Sequence, residues 1–208
     1  MFTIPRTKLT TILAVLTLAA AGSATQNQPI NAPPDAYQVR YAANMLVGDS
    51  VVDLTNAGTV GGYEPTGDIC ANVYVFAQDQ QLISCCSCLL TPNHLRTLSV
   101  RSDLINNTLT PGVPTAVSIG LLATKGPNCN AAIVTASNLV GGLRAWGTAL
   151  HAAPAGGYVV GETPFSDVSL GSTELQKMTS YCGFIQANGS GYGLCNSCRT
   201  GAQGSVRQ

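Results

Sequence analysis

The sequence is poor in charge. Asp, Glu, Lys and Arg make up 10% of its 208 residues, against roughly 25% in an average soluble domain. Ten basic side chains balance ten acidic ones, so there is no cationic face for nucleic acid or an anionic membrane surface. Histidine is scarcer still. His94 and His151 are the only two, too few to suggest a metal centre or a supported general base. The polar, self-repelling composition of a disordered chain is missing, and so are collagen-type repeats and an acidic tail. No apolar run reaches the ~20 residues of a membrane-spanning helix. No cofactor and no metal is expected.

Glycine (22) and proline (11) are abundant, which favours a turn-rich β fold over a helical bundle. The length suits one domain. Met1 to Ala24 reads as an export signal: Arg6 and Lys8 precede the mostly apolar Leu9 to Ala21, and Gly22, Ser23 and Ala24 offer a peptidase site. Removing Arg6 and Lys8 from the ten basic residues leaves eight against ten acidic ones. The expected division is a signal peptide over 1–24, an extended arm over 25–36 and a single β-rich domain over 37–208. Pro29, Pro33 and Pro34 make the arm a poor strand and suggest weak packing.

All eight cysteines lie beyond the leader: Cys70, Cys85, Cys86, Cys88, Cys129, Cys182, Cys195 and Cys198. An even number in an exported chain reads as a disulfide framework. Cys70 to Phe76 has the β-branched and aromatic content of a strand, and Gln81 to Cys88 reads as its return across a Gln78-Asp79-Gln80 turn. If Ala77 faces Gln81, Cys70 falls opposite Cys88. The expected bridge is therefore Cys70–Cys88, with Cys86 as second choice. Cys85 projects from the other face and is free to tie the hairpin to another layer. Cys195-Asn-Ser-Cys198 admits three readings: structural bridging, a redox dithiol, or half of a zinc site. Structural bridging leads, because the Gly-rich Gly189 to Gly193 is not a strand running into a helix.

Strands are also expected over Val39–Val47, Ser50–Thr55, Leu95–Val100, Thr115–Thr124, Ala131–Thr135, Leu139–Leu150 and Tyr158–Val160, and a loop over Asp103–Pro114. One helix stands out at Glu174 to Ala187. Thr173 and Gln176 suggest a capping box, Asn188-Gly189 a stop, and Leu175, Met178, Cys182 and Ile185 one apolar stripe. Cys182 then faces the core, with Cys129 or a C-terminal cysteine as its expected partner. The sum is a mainly β protein, a disulfide-stapled β-sandwich with one C-terminal helix.

Chemistry has few candidates. Gly48-Asp49-Ser50-Val51-Val52-Asp53 resembles the nucleophile block of the GDSL family of esterases and lipases, which would make Ser50 a nucleophile. The family's late Asp-x-x-His is missing, since Thr91 and Thr148 stand three residues before His94 and His151. A turn before a strand explains the segment equally. Tyr37, Tyr41, Tyr63, Tyr74, Tyr158, Tyr181 and Tyr192, with Trp146, would form either a sugar-stacking surface or sheet packing. Glu162, Asp167 and Glu174 define no glycosidase pair without a known separation.

Ile69 to Phe76, then Cys85-Cys86-Ser87-Cys88 and Cys195-Asn-Ser-Cys198, resemble a group of uncharacterised secreted bacterial proteins over roughly Val51 to Arg199. The resemblance implies export and a shared cysteine framework, and no activity. The leading expectation is a secreted or cell-surface structural or adhesive β-domain without catalytic activity, with self-association open and its partner unknown. The alternatives are a secreted enzyme, either a Ser50 esterase or a Cys195/Cys198 oxidoreductase, and a carbohydrate- or metal-binding module.

Overall fold

A computed structural model describes residues 27–105, 112–188 and, for the backbone alone, 192–194. The expected signal peptide, part of the 103–114 loop, Cys195 and Cys198 lie outside the described residues. Among the described residues, ten strands and one long helix follow in order. They are β1 (Tyr37–Ala43), β2 (Val51–Asn56), β3 (Ile69–Ala77), β4 (Leu82–Leu90), β5 (Leu95–Ser99), β6 (Ala116–Lys125), β7 (Leu143–Ala152), β8 (Tyr158–Pro164), β9 (Ser166–Asp167), α1 (Ser172–Ala187) and β10 (Tyr192–Leu194). A six-stranded sheet runs β10-β4-β3-β6-β1-β9 and a four-stranded sheet runs β5-β2-β7-β8. All pairings are antiparallel except the parallel β10–β4 edge. The chain is a disulfide-stapled β-sandwich with one helix near its C-terminus.

Two hydrophobic cores lie on opposite faces of the large sheet. Between the sheets, Val73, Val75, Ile119 and Leu121 meet Val52, Leu54, Leu98 and Leu143. On the other face, Tyr74, Cys85 and Leu122 meet Leu175, Met178, Cys182 and Ile185 of α1. Each fully buried aliphatic side chain contributes about 1.5–3 kcal/mol relative to exposure. Strand β3 is buried on both faces, and its Val/Ile/Tyr-rich run has the composition such a position requires. The four-residue stripe expected on α1 is the buried one. The capping box is not: Gly171 takes the N-cap position without a side-chain bond, while Asn188 ends the helix as expected.

The hairpin corrects the expected bridge. Ala77 N–H donates to Gln81 O at 2.9 Å and Phe76 faces Leu82, as the turn requires. The register then shifts between Val75 and Phe76, so that Val75 faces Ser84 and Cys70 faces Leu89. One extra residue in β4 turns every later side chain of that strand to the other face. Cys86 and Cys88 consequently join the core between the sheets, while Cys85 points towards α1. Cys70 bonds Cys129, not Cys88 or Cys86, and Cys85 bonds Cys182, displacing Cys129 as that residue's expected partner. Cys86 and Cys88 are disulfide-bonded as well.

Two local expectations also change. Ala131–Thr135 contains a 3₁₀ turn over Ala131–Ile133, stabilised by Asn130, whose side chain accepts from Ala132 N–H at 2.9 Å. Val100–Leu104 forms a wide helical turn capped by Ser99. The arm packs on its own domain: Ile30 N–H donates to Leu170 O at 2.8 Å, and Pro29 bridges Gly171.

The Cys85–Cys182 bridge closes a sequence separation of 97 residues, so its loss is expected to cost about 2–5 kcal/mol. A Cys85→Ser/Cys182→Ser double variant should show that loss as a lower urea midpoint with strand circular dichroism retained. Cys70→Ser alone should release one alkylatable thiol, at Cys129. Labelling at Cys86 or Cys88 instead would restore the hairpin pairing.

Candidate functional site

Ser50 is fully buried immediately before β2. Its hydroxyl has no hydrogen-bond partner among the described residues, so no base is poised to take its proton. The preceding Asp49 explains the motif. One carboxylate oxygen accepts from Ser50 N–H at 2.7 Å and from Arg101 N–H at 2.9 Å. The other accepts from the Ser99 hydroxyl. Asp49 therefore ties the entry to β2 to the helical turn after β5, a structural task that needs a short carboxylate at a turn. Asp53 accepts from Thr97 across the β2–β5 ladder.

The histidines are apart. His94 closes a turn through its N–H to Thr91 O at 2.9 Å. His151 lies in β7, with its ring beside Gly161. Glu162 is on β8, Asp167 on β9 and Glu174 on α1, three separate elements. No group of three or more His, Cys, Asp or Glu among the described residues is arranged to hold a metal.

The tyrosines divide by environment. Tyr74 is core: its hydroxyl donates to Ala131 O at 2.6 Å, and burial pushes its pKa far up. Tyr63, Tyr158 and Tyr181 are exposed on separate segments, and Trp146 sits on the outer face of the small sheet. Tyr37 and Tyr41 come together on the helix-side face of the large sheet, where alternation aligns them with Val39 along β1. They form one wall of a groove of about 490 Å³, with Phe76 opposite and Glu174 and Lys177 at one end. The side chain of Tyr192 lies outside the described residues.

The groove is built by small residues. In β6, Ala116, Ser118 and Gly120 alternate along its floor. Tyr41, Ser118 and Phe76 stand in one cross-strand row, and Val39, Gly120 and Tyr74 in the next. A floor with little side chain between aromatic walls leaves a trough. Its rim is fixed: Gln78 Oε1 accepts from Thr115 Oγ1 at 2.6 Å, and Lys177 Nζ lies 5.2 Å from the Phe76 ring centroid and 3.9 Å from Glu174. Burial, reinforced by the nearby Glu174 charge, raises the Tyr37 hydroxyl to about 12. It stays a hydrogen-bond donor throughout the physiological range.

Phe76, Gln78, Gln80 and Lys177 escaped the sequence reading, which gathered tyrosine and tryptophan only. The Ala-x-Ser-x-Gly alternation of β6, set against Tyr-x-Val-x-Tyr in β1, was the available signal. It becomes a groove only once the strands are known to be neighbours. No protein-family model, no curated protein and no solved structure matches the chain.

Two outcomes follow. Ser50→Ala removes a buried, unpaired hydroxyl and is expected to leave stability unchanged or raise it by about 1 kcal/mol, whereas Tyr74→Phe, which orphans the Ala131 carbonyl, should lower it by about 1–3 kcal/mol. Denaturant midpoints compare them directly. Tyr37 is more acidic unfolded, near pH 10, than folded, near 12. Its contribution to stability is therefore complete below about pH 10 and is lost as pH rises towards 12. Ultraviolet phenolate titration should show this tyrosine ionising only with alkaline unfolding in the wild type, and Tyr37→Phe should lessen the alkaline fall in stability.

Proposed function

We propose that the chain is an exported, non-catalytic structural and adhesive domain that associates with a second copy through strand β8. The observation that carries this reading is the exposure of that strand. β8 is an edge of the small sheet. Six of its seven residues are exposed and Gly161 is half-buried. Tyr158, Val159 and Val160 are among them. An edge strand presents unpaired backbone donors and acceptors, and natural sheets ordinarily blunt it with charge, bulges or a cover. Here Glu162 is the only charged residue, and the one proline, another such device, is Pro164 at the strand's end.

The edge is held in place. Arg40 reaches across from β1, and its Nη1 donates to Thr163 O at 2.8 Å. A Cβ at Gly147 would lie 2.8 Å from Arg40 Nε, so the glycine makes room for that crossing. The exposed Leu46 and Val47 belong to a turn anchored by Asn44 Nδ2, which donates to Leu150 O at 2.7 Å; Leu150 faces Val160 across the β7–β8 ladder. Antiparallel pairing of β8 with its copy would join two four-stranded sheets across a two-fold axis and bury these side chains. The disulfides support a site of action in an oxidising compartment, where such bridges persist. The Ser50 hydroxyl, without a partner among the described residues, favours a binding role over the Ser50 esterase.

Analytical ultracentrifugation of the processed protein should show a concentration-dependent dimer. Val159→Lys and Val160→Lys are expected to weaken it at least tenfold, each placing a charge where about 1.5 kcal/mol or more of apolar burial was gained, without lowering the thermal midpoint measured at concentrations where the wild type is monomeric. A wild type that stays monomeric at high protein concentration would overturn the proposal.

A further inference from the structure

The second feature lies on a different sheet and does not depend on β8. We infer that the groove between β1, β6 and β3 is a binding site for a neutral oligosaccharide. Its occupant must match three properties at once. The walls are aromatic: Tyr41 is 58% exposed and faces Phe76 across Ser118, two strand spacings away, or about 9.5 Å between backbones. Groups that both donate and accept line the groove, the Gln78 and Gln80 amides at the rim and the Ser118 hydroxyl on the floor. The charge is neutralised within the groove, because Glu174 and Lys177 lie 3.9 Å apart one turn along α1.

Each property removes a class of ligand. A paired carboxylate and ammonium offer no net field to select a phosphate, a nucleic acid or an acidic glycan. A wholly apolar ligand would desolvate the amides and hydroxyls without repaying them. An extended peptide would seek unpaired backbone at a sheet edge, but the floor strand β6 is paired on both sides, with β1 and β3. A saccharide meets all three requirements. Its rings present C–H faces to aromatic side chains and hydroxyl edges to amides, and a short oligomer spans the trough from the α1 end to the β3–β4 turn.

The groove is also set in advance of any ligand. Thr115 orients the Gln78 amide, Phe76 and Glu174 hold the Lys177 ammonium, and the Tyr37 hydroxyl remains protonated. Gly120 keeps the floor low beneath Tyr37: a Cβ there would stand 3.5 Å from the ring. Preorganised polar groups around an aromatic trough reduce the ordering cost of binding.

The test is saturation-transfer difference NMR and calorimetry on the processed protein with cellotetraose, maltotetraose and chitotetraose as probes. At least one probe is expected to bind, with saturation strongest on ring C–H protons. Tyr41→Ala should weaken that probe at least tenfold. Ser118→Trp, at an exposed position on the floor, should abolish binding by filling the trough with the thermal midpoint unchanged. Trp146→Ala, on the other sheet, should leave affinity within twofold. Failure of all three probes to bind, or binding lost in Trp146→Ala and retained in Ser118→Trp, would overturn the inference. Neither result bears on dimerisation through β8, which is read by sedimentation.

Discussion

The fold depends on a single inserted residue in β4. Leu82 lies on the helix side of the sheet, Ile83 and Ser84 both oppose Val75 inside the sandwich, and Cys85 returns to the helix side. That two-against-one step sets the phase of the strand. Without it, Cys85 would enter the space between the sheets, and Cys86 and Cys88 would face α1. Ser84 would then take the place of Cys85 opposite Tyr74, and the second core would lose the Cys85–Cys182 bridge that anchors it. Ser84 shows the same constraint from the other side, with its hydroxyl donating to Leu104 O within the inner layer.

Around that step the polar interior is closely paired. Asn72, fully buried on β3, donates through Nδ2 to Leu122 O and Thr124 Oγ1, both at 3.0 Å, and accepts from Ser87 Oγ at 2.6 Å. This network locks β3 to both neighbours on the helix side, where mispairing would strand a buried amide. Gln38 does similar work between sheets, its amide donating to Leu143 O at 2.8 Å. Specific pairing of this kind and unspecific apolar burial divide the tasks of register and stability.

Much of this architecture was legible in the chain. Strand content, the turn at Gln78–Gln80 and the buried stripe from Leu175 to Ile185 follow from alternation, turn chemistry and helical period, which are local signals. The separation of Cys85 from Cys86 and Cys88 onto opposite faces was legible too. The partners of Cys70 and Cys182 were not, because a bulge leaves no distinctive mark in Leu82-Ile83-Ser84 and one residue reverses the answer. Ala131–Thr135 failed for a related reason: its β-branched Ile133-Val134-Thr135 suits a strand, and the Asn130 side chain decides for a turn. The groove needed three strands brought together from distant parts of the chain. Tyr41 and Tyr37 were visible as candidates, while Phe76 acquired its role only by standing across from them.

The distance along the chain between Cys85 and Cys182 has a further consequence for biosynthesis. A ribosome releases Cys70, Cys85, Cys86 and Cys88 close together and long before residue 182. Oxidant acting on that early fragment finds only incorrect partners for Cys85, and the nearest sulfurs to Cys70 belong to its own hairpin. The correct cross-link to the helix can be sealed only after Cys182 has been made. A nascent chain must therefore either keep its thiols reduced until then or undo early errors by thiol exchange.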